Sequence, residues 1–203
     1  MFTVVKHKLQ HADGTHVPFT PSPNVGTQIV PIYIVIHYTA GLTADGAIQT
    51  LCDPKSKASA HVVIDRDGKV TQLVALNRRA WHAGKSQWGE LSGMNAHSIG
   101  IEIVNAGKLS QRADGSWVSW SKKPIPTNEV GLATHKNEHT QCGWHEYTEQ
   151  QIEAAVALCT AMASAYSILD VLGHDDVAPN RKVDPGPLFP LDSVRARVLG
   201  RQD

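Results

Sequence analysis

Two histidines and one aspartate stand where the sequence predicts loops that follow strands. His37 follows the β-branched run Ile32–Ile36, and His174 comes after the predicted strand Leu169–Leu172. Asp184 comes shortly after His174, in a segment rich in proline and glycine. Two imidazoles and one carboxylate with an open fourth position are the ligand set of a catalytic zinc ion, which activates water and polarises a carbonyl. The spacing alone fits equally well with two ordinary loop histidines and an aspartate in a turn.

The elements that must position these side chains have clear local signals. Residues 61–65 and 69–74 flank Arg66-Asp67-Gly68, which predicts a hairpin because Asp-Gly supplies the positive φ of a tight turn. Residues 98–104 form another predicted strand, in which apolar residues alternate with Gly100 and Glu102. This alternation places Glu102 on the face opposite the isoleucines of that strand.

Helix signals separate the predicted strands. Thr43 or Asp45 is a candidate cap for a helix through Leu51, and a capping box opens a helix from 148 to about 166. A last helix is expected to end at Gly200. This alternation predicts one α/β domain. Together with the family resemblance described below, it leads us to expect a central mixed β-sheet flanked by helices and a zinc cleft at the strand ends.

Two segments fall outside this regular alternation. Residues 1–30 are polar and turn-rich, and we expect an N-terminal arm or a short edge strand that leads into the domain at 31–203. Residues 105–147 are a long polar insertion, for which the sequence predicts a small hairpin around Asp114-Gly115 followed by irregular chain.

Composition restricts the partners and the compartment. The 203 residues carry 19 Lys and Arg against 19 Asp and Glu, and this balance argues against nucleic acid or an anionic membrane as the main partner. No apolar run approaches the roughly 18 residues that span a bilayer, so no membrane insertion is expected. The N-terminus lacks an apolar leader, which predicts synthesis in the cytoplasm without a signal peptide. Three cysteines without a Cys-x-x-Cys pair suit a reducing compartment.

Five segments of the chain, taken together and in this order, resemble a known protein family. They are Val35-Ile36-His37, Ala58-Ser59-Ala60-His61-Val62-Val63-Ile64, Ala80-Trp81-His82-Ala83-Gly84, Ser98-Ile99-Gly100-Ile101-Glu102, and residues 173–187 from Gly173-His174 to Val183-Asp184-Pro185-Gly186-Pro187. Together they resemble the zinc-dependent N-acetylmuramoyl-L-alanine amidases of type 2, which share a fold with the peptidoglycan recognition proteins. The resemblance covers about residues 30–190.

The resemblance implies a role for each matching residue. His37, His174 and Asp184 correspond to the ligands of Zn²⁺, Glu102 to the acidic catalytic residue, and Lys182 to the residue that stabilises the oxyanion. The implied reaction is hydrolysis of the amide between the lactyl group of N-acetylmuramic acid and L-alanine. The roles agree with amide chemistry, which needs a base that shuttles a proton and a cation beside the developing oxyanion. The alternatives are a paired strand-surface carboxylate and a solvated loop lysine.

Four further residues lie in or beside the matching segments and are weaker candidates for substrate binding. His61 and His82 are expected near the cleft, and Asn180 and Arg181 are candidates for binding an acidic muropeptide. Structural, hydrogen-bonded histidines and solvated loop residues are the competing interpretations.

The insertion contains a second group of candidate metal ligands and three tryptophans. The ligand candidates are His135, His139, Cys142 and His145. Their spacing lacks the two separated pairs of a structural zinc site, so we interpret the insertion as a loop that rims the substrate groove. Trp117, Trp120 and Trp144 are suited either to stacking on sugar rings or to pinning the loop to the core.

The sequence leaves open two classes of function and two biological roles. An enzyme is favoured over a non-catalytic peptidoglycan-binding module, because the complete ligand set accompanies Glu102 and Lys182; a zinc hydrolase for another amide is a more distant alternative. As an enzyme, the chain is expected either to recycle muropeptides in the cytoplasm or to act as a phage-type endolysin on the cell wall after release. We expect a monomer whose partner is peptidoglycan or a muropeptide.

Overall fold

The computed structural model describes residues 1–200. In chain order the strands are β1 (Phe2–Val5), β2 (Lys8–His11), β3 (Val25–Gln28), β4 (Tyr33–Tyr38), β5 (Val62–Ile64), β6 (Val70–Gln72), β7 (Arg78–Ala80), β8 (Gln87–Trp88), β9 (Leu91–Ser92), β10 (Ser98–Ile103), β11 (Ser110–Gln111), β12 (Trp117–Val118), β13 (Pro124–Ile125), β14 (Val130–Thr134), β15 (Gln141–His145) and β16 (Asp170–Gly173). The α-helices are α1 (Ala44–Leu51), α2 (Glu149–Ala165), α3 (His174–Val177) and α4 (Leu191–Leu199).

A mixed sheet of five strands in the order β16-β4-β10-β5-β6 forms the centre of the fold. The first four strands run parallel, and β6 pairs antiparallel with β5. Helices α2 and α4 belong to the apolar cluster on one face, and α1 packs on the other face against Val63 and Leu73. Strands covered on both faces read as unbroken apolar runs, and Ile34–Ile36 is such a run. The predicted α/β architecture is therefore confirmed.

The register of the parallel strands brings the candidate ligands to one edge. Glu102 on β10 lies opposite His37 on β4, so the two side chains project from the same face of the sheet. Gly173 on β16 lies opposite Ile36, and His174 therefore comes level with His37. Strand β4 continues through Tyr38, beyond the predicted end at Ile36, so His37 is held within the ladder.

Local signals in the sequence are confirmed around this sheet. The side chain of Thr43 caps α1, and Thr148 and Gln151 form the predicted capping box of α2. Gly68 has a φ of 81° in the turn between β5 and β6, as the Asp-Gly pair predicts.

The first thirty residues are packed more tightly than the expected arm. Strands β1 and β2 form a hairpin, and Leu9 and Val17 are buried in the largest apolar cluster. Phe2 and Val4 alternate with exposed residues along β1 and pack against the same cluster. This period of two gives the segment an apolar face, which explains why it joins the core.

The insertion is more regular than the sequence predicts. The expected hairpin at Asp114-Gly115 is present between β11 and β12, but the prediction of irregular chain beyond it is wrong. Strands β14 and β15 pair antiparallel over five residues each. Trp144 on β15 is 1% exposed, and a Cβ added to Gly186 would lie 2.7 Å from its ring. This tryptophan therefore pins the insertion beneath the loop that carries Asp184.

Within residues 1–200, no helix combines the length and the apolar character needed to cross a membrane.

Candidate metal centre

Three side-chain atoms converge at the carboxyl ends of β4 and β16. His37 Nδ1 lies 2.8 Å from His174 Nδ1 and 3.0 Å from Asp184 Oδ2, and His174 Nδ1 lies 2.9 Å from Asp184 Oδ2. All three residues are buried. Among the described residues, this is the one group of three or more His, Cys, Asp or Glu side chains whose ligand atoms come together in this way.

The hydrogen bonds behind His174 show why these atoms suit a cation. His174 Nε2 lies 3.1 Å from the carbonyl oxygen of Ala83, and a carbonyl can only accept. The proton of the neutral ring therefore sits on Nε2, and Nδ1 presents a lone pair to Asp184. Lone pairs from nitrogen and carboxylate oxygen repel one another unless a cation lies between them. Two nitrogens and one oxygen are a donor set that zinc accepts, so the residues fit the ion implied by the sequence.

Burial keeps His37 neutral, as a metal ligand must be. The pKa of His37 is lowered to about 4, chiefly by burial and also by the neighbouring His174, while Asp184 acts in the opposite direction. At neutral pH the ring therefore carries no charge and has a lone pair available for a metal.

Glu102 lines the cleft from the face of β10 opposite the isoleucines, as the alternation predicts. Its Oε2 is buried and has no hydrogen-bond partner among the described residues. The pKa of Glu102 is raised to about 8, chiefly by burial and also by the negative charge of Asp184, while Lys182 acts in the opposite direction. An unpartnered carboxyl with this pKa is able to take and return a proton near neutral pH.

Lys182 lies close enough to influence both sides of the site. Its charge lowers the pKa of His37 and of Glu102. The side chain is half-buried, and its backbone N–H donates to the carbonyl of Ala178 at 3.0 Å, which fixes the loop before Asp184. The site thus combines a metal-type donor set, a carboxyl of raised pKa and a cation.

The other predicted histidines differ in their surroundings. His61 Nδ1 accepts from the backbone N–H of Gly100 at 2.9 Å, and its Nε2–H donates to the carbonyl of Arg78 at 2.8 Å. Both nitrogens are occupied and the ring is buried, so His61 ties β10 to β7 and has no polar atom left for a substrate. His82 is in the site, with Nδ1 3.0 Å from Nε2 of His37.

The two remaining candidates lie at the rim. An N–H group of Arg181 donates to the carbonyls of Ala83 and Lys85 at 2.7 and 2.8 Å, so Arg181 braces the loop that also holds His174. Asn180 is exposed beside this loop, and substrate binding by Asn180 stays a prediction.

The ligand candidates of the insertion are separated among other partners. His135 Nε2 bonds to Asp175 at 2.8 Å, and His145 lies between Glu129 and the backbone N–H of Ala106. The bond of His135 to Asp175 holds the insertion to the main domain, whereas both partners of His145 lie within the insertion.

One wall of the cleft includes Leu42 and Lys123, which the sequence did not single out, beside Trp120, which it did. A cavity of about 310 Å³ has Glu102 in its lining, together with Leu42 on the loop before α1 and Trp120 and Lys123 of the insertion. The indole N–H of Trp120 donates to the carbonyl of Ala40 at 2.6 Å, although 69% of the residue is exposed. Three tryptophans in one polar segment were a signal, but nothing local distinguished Trp120 from the two that are more buried.

The buried carboxyl predicts a pH-dependent stability in protein treated with a chelator. The folded-state pKa of Glu102, about 8, lies above its ordinary value of 4.5, so the contribution of Glu102 to stability falls as the pH rises through this interval. Glu102→Gln should therefore be more stable than the parent near pH 9, by at least about 1 kcal/mol, and the difference should shrink towards about pH 5. Urea unfolding of both proteins measures this, and parallel pH profiles would contradict it.

Known proteins match this fold and site. A family model described as N-acetylmuramoyl-L-alanine amidase matches residues 27–187. The 1,6-anhydro-N-acetylmuramyl-L-alanine amidase AmpD of Escherichia coli K12 is 32% identical over 145 residues, or 70% of this chain and 58% of that protein. The N-acetylmuramoyl-L-alanine amidase AmiD of the same strain is 32% identical over 176 residues, or 82% of this chain and 53% of that protein. The matched segment thus spans just over half the length of both relatives.

Solved structures agree with the sequence relatives. Escherichia coli AmiD, in a complex with the substrate anhydro-N-acetylmuramic acid-L-Ala-D-gamma-Glu-L-Lys, superposes with a TM-score of 0.61 at 26% identity, covering 95% of this chain and 64% of that chain. A selenomethionine derivative of AmpD shares the fold, with a TM-score of 0.67 at 24% identity, over 96% of this chain and 98% of that one. With most of its length matched by the family model and with relatives close to one-third identical, the chain belongs to the N-acetylmuramoyl-L-alanine amidase family.

Proposed function

We propose that this chain is a zinc-dependent hydrolase that cleaves the amide between N-acetylmuramic acid and L-alanine in muropeptides or peptidoglycan. The observation that carries the proposal is the convergence of His37, His174 and Asp184, with three ligand atoms within 3.0 Å of one another. Membership of the amidase family and the substrate named in the AmiD complex support the choice of bond.

The three convergent side chains would hold zinc, and Glu102 and Lys182 would perform the remaining chemistry. Bound there, zinc supplies Lewis acidity that polarises the amide carbonyl and lowers the pKa of a water molecule. Glu102 takes the proton that this water loses as its oxygen attacks the carbonyl carbon. Lys182 places a positive charge beside the oxygen on which negative charge develops.

The same carboxyl completes the reaction. As the carbon–nitrogen bond breaks, Glu102 returns its proton to the leaving nitrogen, so that the products are a lactyl carboxylate and a free amino group on L-alanine. A group that both accepts and donates works best when its pKa lies near the working pH, which agrees with the pKa of about 8. Burial and the neighbouring charge of Asp184 are the physical causes of this raised pKa.

A non-catalytic peptidoglycan-binding module is the competing class. A pure binding function would need neither the three converging ligand atoms nor an unpartnered buried carboxyl beside them, and both features cost stability. Their presence together therefore favours the enzyme. Whether the natural substrate is a free anhydro-muropeptide, as the name of AmpD implies for that relative, or the intact cell wall is decided by the assays below.

The insertion is proposed to form one side of the substrate groove. Trp120 presents an exposed indole whose orientation is fixed by Ala40, and Lys123 is exposed beside it in the same cavity as Glu102. Lys123 forms no ion pair within residues 1–200, so its charge is available to a carboxylate of a stem peptide. An aromatic face with a nearby cation suits a ligand that is both carbohydrate and acidic peptide.

The first prediction from this proposal concerns the metal. The purified protein should bind one zinc ion per chain, and chelation should abolish hydrolysis until Zn²⁺ is restored. His37→Ala should lose zinc and activity together. His139→Ala, which changes an exposed histidine of the insertion, should keep both. Elemental analysis and a muropeptide assay provide the measurements, and full activity in metal-free protein would refute the proposal.

The second prediction separates catalysis from metal binding. Glu102→Gln should keep zinc but lose on the order of 10² to 10⁴ in kcat, because the amide side chain cannot carry the proton. Lys182→Met should also keep zinc and lose about 10² in kcat through its role at the oxyanion. Stoichiometry and turnover are measured on the same preparations, and normal turnover in either variant would remove that residue from the mechanism.

The third prediction concerns the groove. Trp120→Ala should lower kcat/KM by about 2-fold to 10-fold, since an aromatic contact is worth about 0.5–1.5 kcal/mol, and zinc content should not change. The loss should be larger on intact sacculi than on a small soluble muropeptide, because a polymer covers more of the rim. Leu132→Ala, another exposed apolar residue of the insertion, is the control. Unchanged activity of Trp120→Ala on both substrates would contradict the groove assignment.

A further inference from the structure

A third histidine stands behind the candidate ligand His37. His82 Nδ1 lies 3.0 Å from His37 Nε2, while Nδ1 of His37 lies 3.0 Å from Asp184. The two rings meet edge to face, with centroids 5.1 Å apart and planes inclined by 80°. Of two imidazole nitrogens at hydrogen-bonding distance, one must carry the proton and the other must accept it.

Ser98 decides which nitrogen carries the proton. The Ser98 hydroxyl donates to the carbonyl of Met94 at 2.7 Å, so its oxygen can only accept from other neighbours. His82 Nε2 lies 3.5 Å from that oxygen, at the long end of a hydrogen bond. The proton of His82 is therefore placed on Nε2, which leaves a lone pair on its Nδ1. This lone pair accepts the Nε2–H of His37.

We propose that His82 is a positioning residue that fixes the tautomer of His37. By accepting the Nε2–H of His37, it leaves Nδ1 unprotonated and aimed at the position shared with His174 and Asp184. The assignment rests on the proposed function, because it needs a metal at His37 Nδ1. The second nitrogen of a metal-bound histidine commonly donates to a carboxylate or a carbonyl. Here a neutral imidazole is the acceptor, so the ligand is oriented without an additional negative charge in the site.

Strand β10 is shaped to admit the ring of His82. A Cβ added to Gly100 would lie 2.4 Å from Cγ of His82, so glycine is needed for this approach. Ser98, Gly100 and Glu102 alternate along the strand and share one face. On that face, Ser98 supplies the acceptor for the N–H of His82, Gly100 leaves space for its ring, and Glu102 supplies the carboxyl of the cleft. Asn95 fixes the backbone of His82, because the side-chain oxygen of Asn95 accepts a hydrogen bond from the backbone N–H of His82 at 3.0 Å.

The test measures zinc affinity, by competition with a chromophoric chelator, in matched variants. His82→Leu removes the acceptor and should weaken zinc binding by about 10-fold to 100-fold. His82→Gln keeps a side-chain oxygen that can accept from His37 and should retain most of the affinity. Gly100→Ala displaces the ring without removing it and should resemble His82→Leu. The control is His97→Leu, a half-buried histidine whose side chain has no hydrogen bond within the described part of the chain.

A second readout reports the tautomer directly. In metal-stripped protein labelled with ¹⁵N-histidine, long-range ¹H–¹⁵N spectra should show His37 protonated at Nε2, and His82→Leu should shift it towards Nδ1. Thermal unfolding of the stripped proteins reports any change in packing, which the tautomer does not require. His37 found protonated at Nδ1 in the parent protein would overturn the assignment.

The affinity outcomes separate this assignment from the proposed function. Equal zinc affinity in His82→Leu and the parent, or equal losses in the Leu and Gln variants, would overturn the positioning role alone. A parent protein that binds zinc but hydrolyses no muropeptide would overturn the proposed function, while the affinities would still decide the role of His82. A parent protein that binds no zinc would overturn both.

Discussion

Convergence of three lone pairs on one point is the constraint on which the rest of the structure depends. His37, His174 and Asp184 reach that point from a strand, a helix start and a loop, and each position is held by backbone pairing. Such a cluster is unfavourable without a cation, so the surrounding fold must hold it rigidly. The parallel ladder of β16, β4 and β10 does this, because the register of the strands fixes which side chains are neighbours. A slip of one residue would turn His37 to the opposite face.

The same constraint explains the electrostatics of the cleft. Burial that keeps His37 neutral also raises the pKa of Glu102, and the carboxylate of Asp184 adds to that increase. A single dry environment therefore prepares both a neutral ligand and a carboxyl able to exchange protons. The positive charge of Lys182 lowers the pKa of Glu102, whereas the negative charge of Asp184 raises it. The pKa of that carboxyl therefore reflects a balance between two charges of opposite sign.

Sequence reasoning was most successful where function coincides with a local pattern. Strand runs, the Thr43 and Thr148 caps and the five ordered segments predicted the sheet, its helices and the residues now found at the centre. It failed for β14 and β15, whose Gly and His residues conceal any alternation, and it left the role of His61 open, because the partners of that ring are backbone groups of distant strands. Contacts between segments far apart in the chain leave no periodic trace, and they decide which histidines join the cluster with Asp184, which one lies behind His37 and which is bonded only to backbone groups.

Because Trp144 is buried beneath Gly186, the insertion has two parts that should tolerate amino-acid substitution to different degrees. The paired strands β14 and β15 of the insertion, and His135, pack against the segment that carries His174 and Asp184. Replacement of this part would therefore disturb the positions of those side chains together with the core. The tip that carries Trp120 contacts the main domain through the hydrogen bond from the Trp120 indole to Ala40, and 69% of Trp120 is exposed. Diversification of substrate preference, by natural drift or by design, is therefore expected to concentrate in this tip while the paired strands stay fixed.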